Sequence, residues 1–100
     1  MKVRELLTTE DKWTKDVFAR RKDGKKTSAI DCEAVQWCLT GAIEKCYYRP
    51  EFDEVYDNIV KIREITEKVM RFLRMEIPDW NDKPERTFLE VRRVIEKLDI

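Results

Sequence analysis

The stretch Asp31-Cys-Glu-Ala-Val-Gln-Trp-Cys-Leu-Thr-Gly-Ala-Ile-Glu-Lys-Cys46 contains the clearest helical pattern of the chain. Its apolar residues recur at three- and four-residue steps, as they do on one face of an α-helix. Asp31 has the chemistry of an N-cap, and Glu33 complements the positive end of a helix dipole. We therefore predict a helix over residues 31–47, central to the core and ending before Pro50.

Two further segments with helical periodicity lie on the C-terminal side of this stretch. Residues 51–75 begin after Pro50 with acidic residues that suit a helix N-terminus. Residues 87–98 begin with Thr87-x-x-Glu90, a capping box in which each side chain bonds the other residue's backbone N–H. The pattern predicts a mainly α fold, a compact bundle of three principal helices.

The first thirty residues are less regular, and they leave two alternatives open. Apolar positions within residues 3–7 predict a short helix. Asp23-Gly24 either follows a helix, with Gly24 as its left-handed cap, or forms the type I′ turn of a hairpin. We expect this N-terminal segment to pack across the three helices, within a single domain over residues 1–100.

Composition and motifs exclude several common kinds of site. The net charge is zero, from 21 Lys+Arg and 21 Asp+Glu, so the chain lacks the overall positive field of many nucleic-acid-binding proteins. There is no histidine, which removes the commonest general base and the commonest metal ligand. The sequence has no G-x-G-x-x-G, P-loop or G-x-S-x-G motif. We therefore expect no cofactor and no metal site, and catalysis is less favoured than binding.

The cysteines and the apolar runs indicate a compartment. Cys32, Cys38 and Cys46 are odd in number and form no C-x-x-C pair, which is typical of reduced thiols rather than a disulfide framework. We interpret them as small buried apolar residues. The chain has neither the 18 or more apolar residues of a membrane span nor a signal-peptide core. A cytoplasmic location without membrane contact is expected.

Three separated motifs, taken together, resemble a known group of proteins. They are Trp13-Thr14 with Ala19-Arg20 and Asp23-Gly24; Ala34-Val35-x-Trp37-Cys38-Leu39-x-Gly41-Ala42; and Trp80-Asn81-Asp82 with Arg86-Thr87 and Glu90-Val91. In order and spacing they are similar to a family of small uncharacterised bacterial and phage proteins. The resemblance implies a common small fold and a bacterial or viral setting, and it implies no particular activity.

The most distinctive polar cluster lies between the second and third predicted helices. It consists of Trp80, Asn81, Asp82, Arg86 and Thr87. Trp and Arg are favoured anchors in binding sites, and a helix N-terminus attracts anions, so the cluster is a candidate recognition site. The alternative is a structural loop held by turn bonds, a buried Trp and an Arg–Asp pair.

A second candidate is a basic segment near the N-terminus. Five cations lie within residues 20–26, namely Arg20, Arg21, Lys22, Lys25 and Lys26. Such a segment could contact phosphates, and its binding would then weaken with salt. Residues 31–60 have two cations and seven anions, so the molecule is dipolar. The alternative interpretation is an ordinary solvated surface.

We expect a small non-catalytic interaction module that binds a protein partner, with a phage or mobile-element origin implied by the resemblance. Self-association is left open. The alternatives are a nucleic-acid-binding accessory protein that uses residues 20–26, and a small enzyme with a site around Trp80–Arg86 and Glu90. An apolar patch rimmed by charge would favour the protein-binding function. A basic groove would favour nucleic-acid binding, and a deep pocket with converging Arg and Glu side chains would favour an enzyme.

Overall fold

The computed structural model describes residues 1–49 and 55–100. The elements in chain order are helix α1 (Val3–Leu6), a 3-10 turn (Glu10–Lys12), strands β1 (Ala19–Arg21), β2 (Lys26–Thr27) and β3 (Ala34–Trp37), and helices α2 (Leu39–Tyr47), α3 (Val55–Leu73), α4 (Ile77–Asn81) and α5 (Phe88–Leu98). Within these residues no helix is both long enough and apolar enough to cross a membrane.

The prediction of a mainly α three-helix bundle is wrong. The strands form a three-stranded antiparallel sheet in the order β2-β1-β3, and it lies among five α-helices of which α1 and α4 are only four and five residues long. The described residues therefore form a mixed fold in which the sheet is a structural part of the core.

The predicted helix over residues 31–47 is a strand followed by a helix. Ala34 and Trp37 are buried while Val35 is 44% exposed, and β3 pairs along its length with β1. A short apolar run fits a strand and a helix equally well, and Val and Trp favour the strand. The helix begins only at Leu39, where the Cys38 thiol serves as its N-cap by accepting from a backbone N–H.

The hairpin is the alternative that the structure shows for the basic N-terminal segment. β1 and β2 are antiparallel neighbours, and Gly24 has a φ of 86°. The Gly24 amide donates to the Arg21 carbonyl at 2.8 Å, and the Arg21 amide donates to the Lys25 carbonyl at 2.9 Å. A type I′ turn with Asp23 and Gly24 at its centre would need positive φ at both residues, and Asp23 lacks it. The loop is therefore a three-residue turn with the left-handed residue last.

The remaining helices differ from the predictions mainly at their ends. The predicted helix start at residues 51–54, and Pro50, lie outside the described residues. α3 ends at Leu73, two residues before the predicted end, because Arg74 adopts a left-handed φ of 60°. The capping box between Thr87 and Glu90 at the start of α5 is confirmed.

The polar cluster predicted as a loop is partly helical. Pro78 occupies the first turn of α4, where its missing N–H is harmless. Trp80 and Asn81 are both buried and lie in that short helix. α4 packs against α2 and α3, so the cluster is attached to the centre of the molecule.

The core is centred on α2, which packs against α1, α3, α4 and β3. Its inward residues Leu39, Ala42, Ile43 and Cys46 are at most 1% exposed. The sheet contributes Ala19, Ala34 and Trp37 to the same cluster. This arrangement places the end of β3, the start of α2 and the short helix α4 next to one another.

Candidate functional site

Asn81 is fully buried and makes four hydrogen bonds with its side chain. Its Oδ1 accepts from Trp13 Nε1 at 2.8 Å and from the Leu39 amide at 3.1 Å. Its Nδ2 donates to the Thr14 carbonyl at 3.1 Å and to Asp82 Oδ1 at 2.9 Å. A carboxamide offers two donors and two acceptor positions, so this capacity is fully used. We call Trp13, Thr14, Leu39, Asn81 and Asp82 the Asn81 cluster.

Asp82 extends the Asn81 cluster to the segment that enters β1. Its Oδ1 also accepts from the Asp16 amide at 2.9 Å. Asp16 has a φ of 73°, a left-handed conformation that Asp tolerates better than most residues. Beside it, Lys15 Nζ donates to the Lys83 carbonyl at 2.6 Å. The N-terminal segment is thus bonded to the residues that follow α4.

Arg86 lies over the Trp80 ring, and its guanidinium makes hydrogen bonds to two residues. Its guanidinium carbon is 4.0 Å from the centre of the Trp80 ring, and its Nε donates to the Trp80 carbonyl at 2.9 Å. Its Nη1 donates to the Glu90 carboxylate. The Thr87 amide and, secondarily, Arg86 lower the pKa of Glu90 by stabilising its charged form. These bonds favour the structural interpretation of the predicted recognition site.

Arg20 also makes its hydrogen bonds to other residues of the protein. Its guanidinium donates to Thr14 Oγ1 at 2.8 Å, to the Gly24 carbonyl at 2.9 Å and to the Lys15 carbonyl at 3.3 Å. The residue therefore braces the hairpin against the segment before it. It is the first of the five predicted basic-patch residues, and its donors point inward.

Arg21 is paired with acidic residues that follow the hairpin. It lies 2.8 Å from Asp31 and 3.7 Å from Glu33. Asp31, predicted as a helix cap, instead accepts from the Thr27 hydroxyl and from the Glu33 amide. These bonds, with Thr27 first, then the Glu33 amide and Arg21, lower the pKa of Asp31 to about 2.

Four of the five basic-patch residues, Arg21, Lys22, Lys25 and Lys26, are exposed on the hairpin, and of these Arg21 is paired with Asp31. With Arg20 and Arg21 engaged by the protein itself, the segment presents separate ammonium groups. The electrostatic footprint predicted for residues 20–26 is therefore weaker than the sequence suggested.

An open cavity of about 480 Å³ lies beside the Asn81 cluster. Its volume is in the range of small-ligand and peptide-side-chain pockets. The apolar part of its lining comes from Val17, Phe18, Cys38 and Pro78. Its charged groups are Asp16, Lys26 and Asp82. Phe18 is 54% exposed and lines this apolar cavity, which makes the cavity a candidate binding site.

Of the predicted site residues, only Asp82 and Lys26 line this cavity. Phe18 was not among the predicted site residues, because it was not assigned to a face of any element. Phe18 directly precedes β1, whose first residue Ala19 is buried, and strand alternation continued by one residue would direct Phe18 away from the core. That alternation is the signal that could have found it.

The cysteines have different environments. Burial raises the pKa of the Cys46 thiol to about 11 and also raises the pKa of Cys38. Cys32 is exposed, so the interpretation as buried apolar residues is correct for two of the three. In the described ranges, no three Cys, Asp or Glu residues are grouped in a way that could hold a metal ion.

Comparison with known families gives a match over nearly the whole chain. A model of the family of unknown function DUF6197 matches residues 1–98. The chain belongs to DUF6197. The predicted resemblance to an uncharacterised family is confirmed at that level. No curated protein and no solved structure matches the DUF6197 chain. The site of this DUF6197 protein is therefore interpreted from its own geometry.

Proposed function

We propose that this DUF6197 protein is a small non-catalytic interaction module that binds a protein partner at the cavity beside Phe18. The observation that supports the proposal is a division of roles between two neighbouring regions. The polar groups of Asn81 and Arg86 form hydrogen bonds within the protein. The adjacent cavity has apolar walls, a charged rim and a half-exposed aromatic ring. Apolar surface rimmed by charge is the pattern of a protein interface.

Phe18 is the best anchor that this region offers. Aromatic side chains present about 150–250 Å² of surface, so its exposed half amounts to roughly 100 Å². At about 25 cal/mol per Å², covering that area contributes roughly 2–3 kcal/mol to association. Arg86 cannot serve in this way without losing its stacking on Trp80 and its bond to the Trp80 carbonyl.

The two alternative functions have less support. A nucleic-acid site over residues 20–26 would have to work without Arg20, which donates three hydrogen bonds within the protein, and with an Arg21 that is paired with Asp31. An enzyme site around Trp80–Arg86 would need Arg86 and Glu90 to face a substrate, whereas they bond each other. A cytoplasmic location and a bacterial or phage origin complete the proposal, supported by the composition and the motif resemblance.

The proposal is tested by selecting randomised dodecapeptides on phage against the immobilised protein. Selected peptides are then labelled, and their affinity is measured by fluorescence anisotropy for the natural chain, Phe18→Ser and Leu89→Ser. Leu89 is a matched control because it is 59% exposed and lies on α5, which contributes no residue to the cavity lining. We expect Phe18→Ser to weaken binding about tenfold or more and Leu89→Ser to leave it unchanged.

The same instrument is used with labelled single- and double-stranded DNA and RNA across a salt series. Failure to select any peptide, or equal binding by both serine variants, would overturn the proposal. So would nucleic-acid binding that weakens steeply with salt and is lost when Lys22, Lys25 and Lys26 are changed to Ala. That result would move the nucleic-acid alternative to first place.

A further inference from the structure

The outer edge of β2 has backbone groups directed away from the sheet. The Arg21 amide bonds the Lys25 carbonyl, and Arg20 is opposite Lys26 in the next position of the register. Hydrogen-bonded and non-hydrogen-bonded pairs alternate along an antiparallel ladder, so Lys26 belongs to a non-hydrogen-bonded pair. Its N–H and C=O therefore point outward. Among residues 1–49 and 55–100, no strand pairs with β2 on that side.

The cavity beside Phe18 is continuous with this edge. Both residues of β2, Lys26 and Thr27, contribute to its lining. A strand that pairs with the outer edge of β2 would place alternate side chains toward the protein, because successive side chains in a strand point to opposite faces. One of those side chains would lie over the apolar part of the cavity. Strand addition of this kind is a general mode of peptide recognition.

The charges around the cavity select the kind of segment that fits. Asp16 is exposed, and we find no hydrogen bond to its carboxylate from the described residues, although its amide is bonded. Asp82 uses Oδ1 for Asn81 and the Asp16 amide. Two carboxylates against the single ammonium of Lys26 leave this lining with a net charge of −1. A cationic side chain is the complement of that arrangement.

We propose that the partner is an extended peptide segment that adds to the outer edge of β2. Its apolar side chain occupies the cavity against Phe18 and Pro78, and a Lys or Arg two residues away approaches Asp16 and Asp82. This inference rests on the proposed function and specifies the partner's chemistry. A second copy of this chain fits less well, because antiparallel pairing of two β2 edges would bring the lysines at 25 and 26 of both copies together.

The probes are two phage libraries of octapeptides. One has an apolar residue followed two positions later by Arg or Lys, and the other has Asp or Glu at that second position. Peptides from the first library are synthesised with blocked termini and titrated into ¹⁵N-labelled protein. We expect enrichment from the basic library only, and amide shift changes concentrated on Asp16, Phe18, Lys26 and Thr27.

Two substitutions at one position separate the backbone from the side chain. Lys26→Pro removes the outward N–H but no bond to β1, and proline is tolerated on edge strands. Lys26→Ala keeps the N–H and removes the charge. We expect Lys26→Pro to weaken peptide binding about tenfold and Lys26→Ala to leave it unchanged or slightly stronger. Asp16→Asn, which tolerates the same left-handed backbone, should weaken binding of the basic peptides about threefold.

A scan of N-methyl groups along the peptide tests the same point without altering the protein, in case Lys26→Pro fails to fold. Loss of binding is expected when the one peptide N–H that would donate to the Lys26 carbonyl is methylated. Tight peptides that tolerate N-methylation throughout, that shift amides elsewhere, or that come from the acidic library would overturn this inference while leaving the proposed function in place. If neither the octapeptide libraries nor the randomised dodecapeptides give a binder, both proposals fail.

Discussion

The indole nitrogen of Trp13 donates to the side-chain oxygen of Asn81 at 2.8 Å, across 68 positions of sequence. The same oxygen accepts from the Leu39 amide at the start of α2. The bond therefore ties the segment before β1 to α4 and to the central helix. Residues 16–18 and residues 78 and 82 all line the cavity, so this link joins two segments of the cavity lining.

We expect Asn81→Ala to destabilise the protein by roughly 3 kcal/mol. The substitution removes four hydrogen bonds and leaves the Leu39 amide and the Trp13 N–H without an acceptor in a buried site. Urea unfolding followed by Trp fluorescence and far-UV circular dichroism measures the change. Asp79→Ala, at an exposed position of the same short helix, is the control and should change stability by less than about 0.5 kcal/mol. Equal effects of the two substitutions would contradict the structural role of Asn81.

Gly41→Ala should be destabilising although alanine is the better helix former. A Cβ at position 41 would lie 2.0 Å from the backbone oxygen of Phe18, so α2 and the residue that precedes β1 would have to separate. We expect a loss of roughly 2–3 kcal/mol, which exceeds the gain of about 1 kcal/mol in helix propensity. The prediction is checked by comparing the thermal unfolding of the Gly41→Ala and Gly24→Ala variants with that of the natural chain. At Gly24 a Cβ meets no neighbour within 4 Å, and only the φ of 86° opposes it, at a cost of about 1 kcal/mol.

Arg86→Lys should behave as a loss of structure rather than as a conservative change. Lysine keeps the charge but cannot stack as a plane on Trp80 while it also bonds the Trp80 carbonyl and Glu90. We expect a cost of about 1–2 kcal/mol in chemical unfolding. Arg93→Lys, at an exposed position of α5, is the matched control and should be nearly neutral. If Arg86→Lys is as stable as the natural chain, the positive charge alone accounts for the contribution of Arg86 to stability.

Stability should fall at acidic pH in part through Asp31. The pKa of its carboxyl is lowered to about 2 from an ordinary 3.8, because Thr27, the Glu33 amide and Arg21 favour the charged form. The resulting stabilisation is complete above pH 3.8 and is lost as the pH falls from 3.8 toward 2. Urea unfolding at pH 6, 4 and 2.5 should show a smaller acid-induced decrease for Asp31→Asn than for the natural chain. A steeper or equal decrease in that variant would contradict this assignment.

The three thiols should react at separate rates. Cys32 is exposed, whereas Cys38 and Cys46 are buried and their pKa values are raised, that of Cys46 to about 11. The thiolate is the reactive form, so at pH 8 a disulfide reagent should modify one thiol rapidly in the folded protein and all three in denaturant. The Cys32→Ser variant should lose the fast phase. A second fast thiol in that variant would show that a buried site opens readily.

Local signals in the sequence were enough for some elements. The capping box of α5 is confirmed because Thr87 and Glu90 bond within one turn, independently of the rest of the molecule. The short helix α1 follows from apolar spacing alone. Residues 34–37 fit a helical period equally well, and their strand conformation depends on pairing with β1, which lies more than ten residues earlier. Non-local pairing of that kind is not visible in a window of neighbouring residues.

The candidate site divides in the same way. The motifs drew attention to Asn81 and Arg86, but Trp13 and Leu39 become neighbours of Asn81 only in the folded chain. The sequence could therefore not decide between recognition and structure for these residues. The cavity was not predicted at all, since its lining combines the turn before β1, the edge strand and the start of α4.

The bond between Trp13 and Asn81 also has a consequence for the order of folding. During synthesis the indole has no acceptor at Asn81 until 68 further residues have been added. At about 5–20 residues per second this interval is roughly 3–14 s. The hairpin can pair early, because its contacts are local, whereas closing the large loop between positions 13 and 81 costs chain entropy before any bond compensates for it. The strands of the sheet are therefore available to pair before the residue that anchors Trp13 has been synthesised.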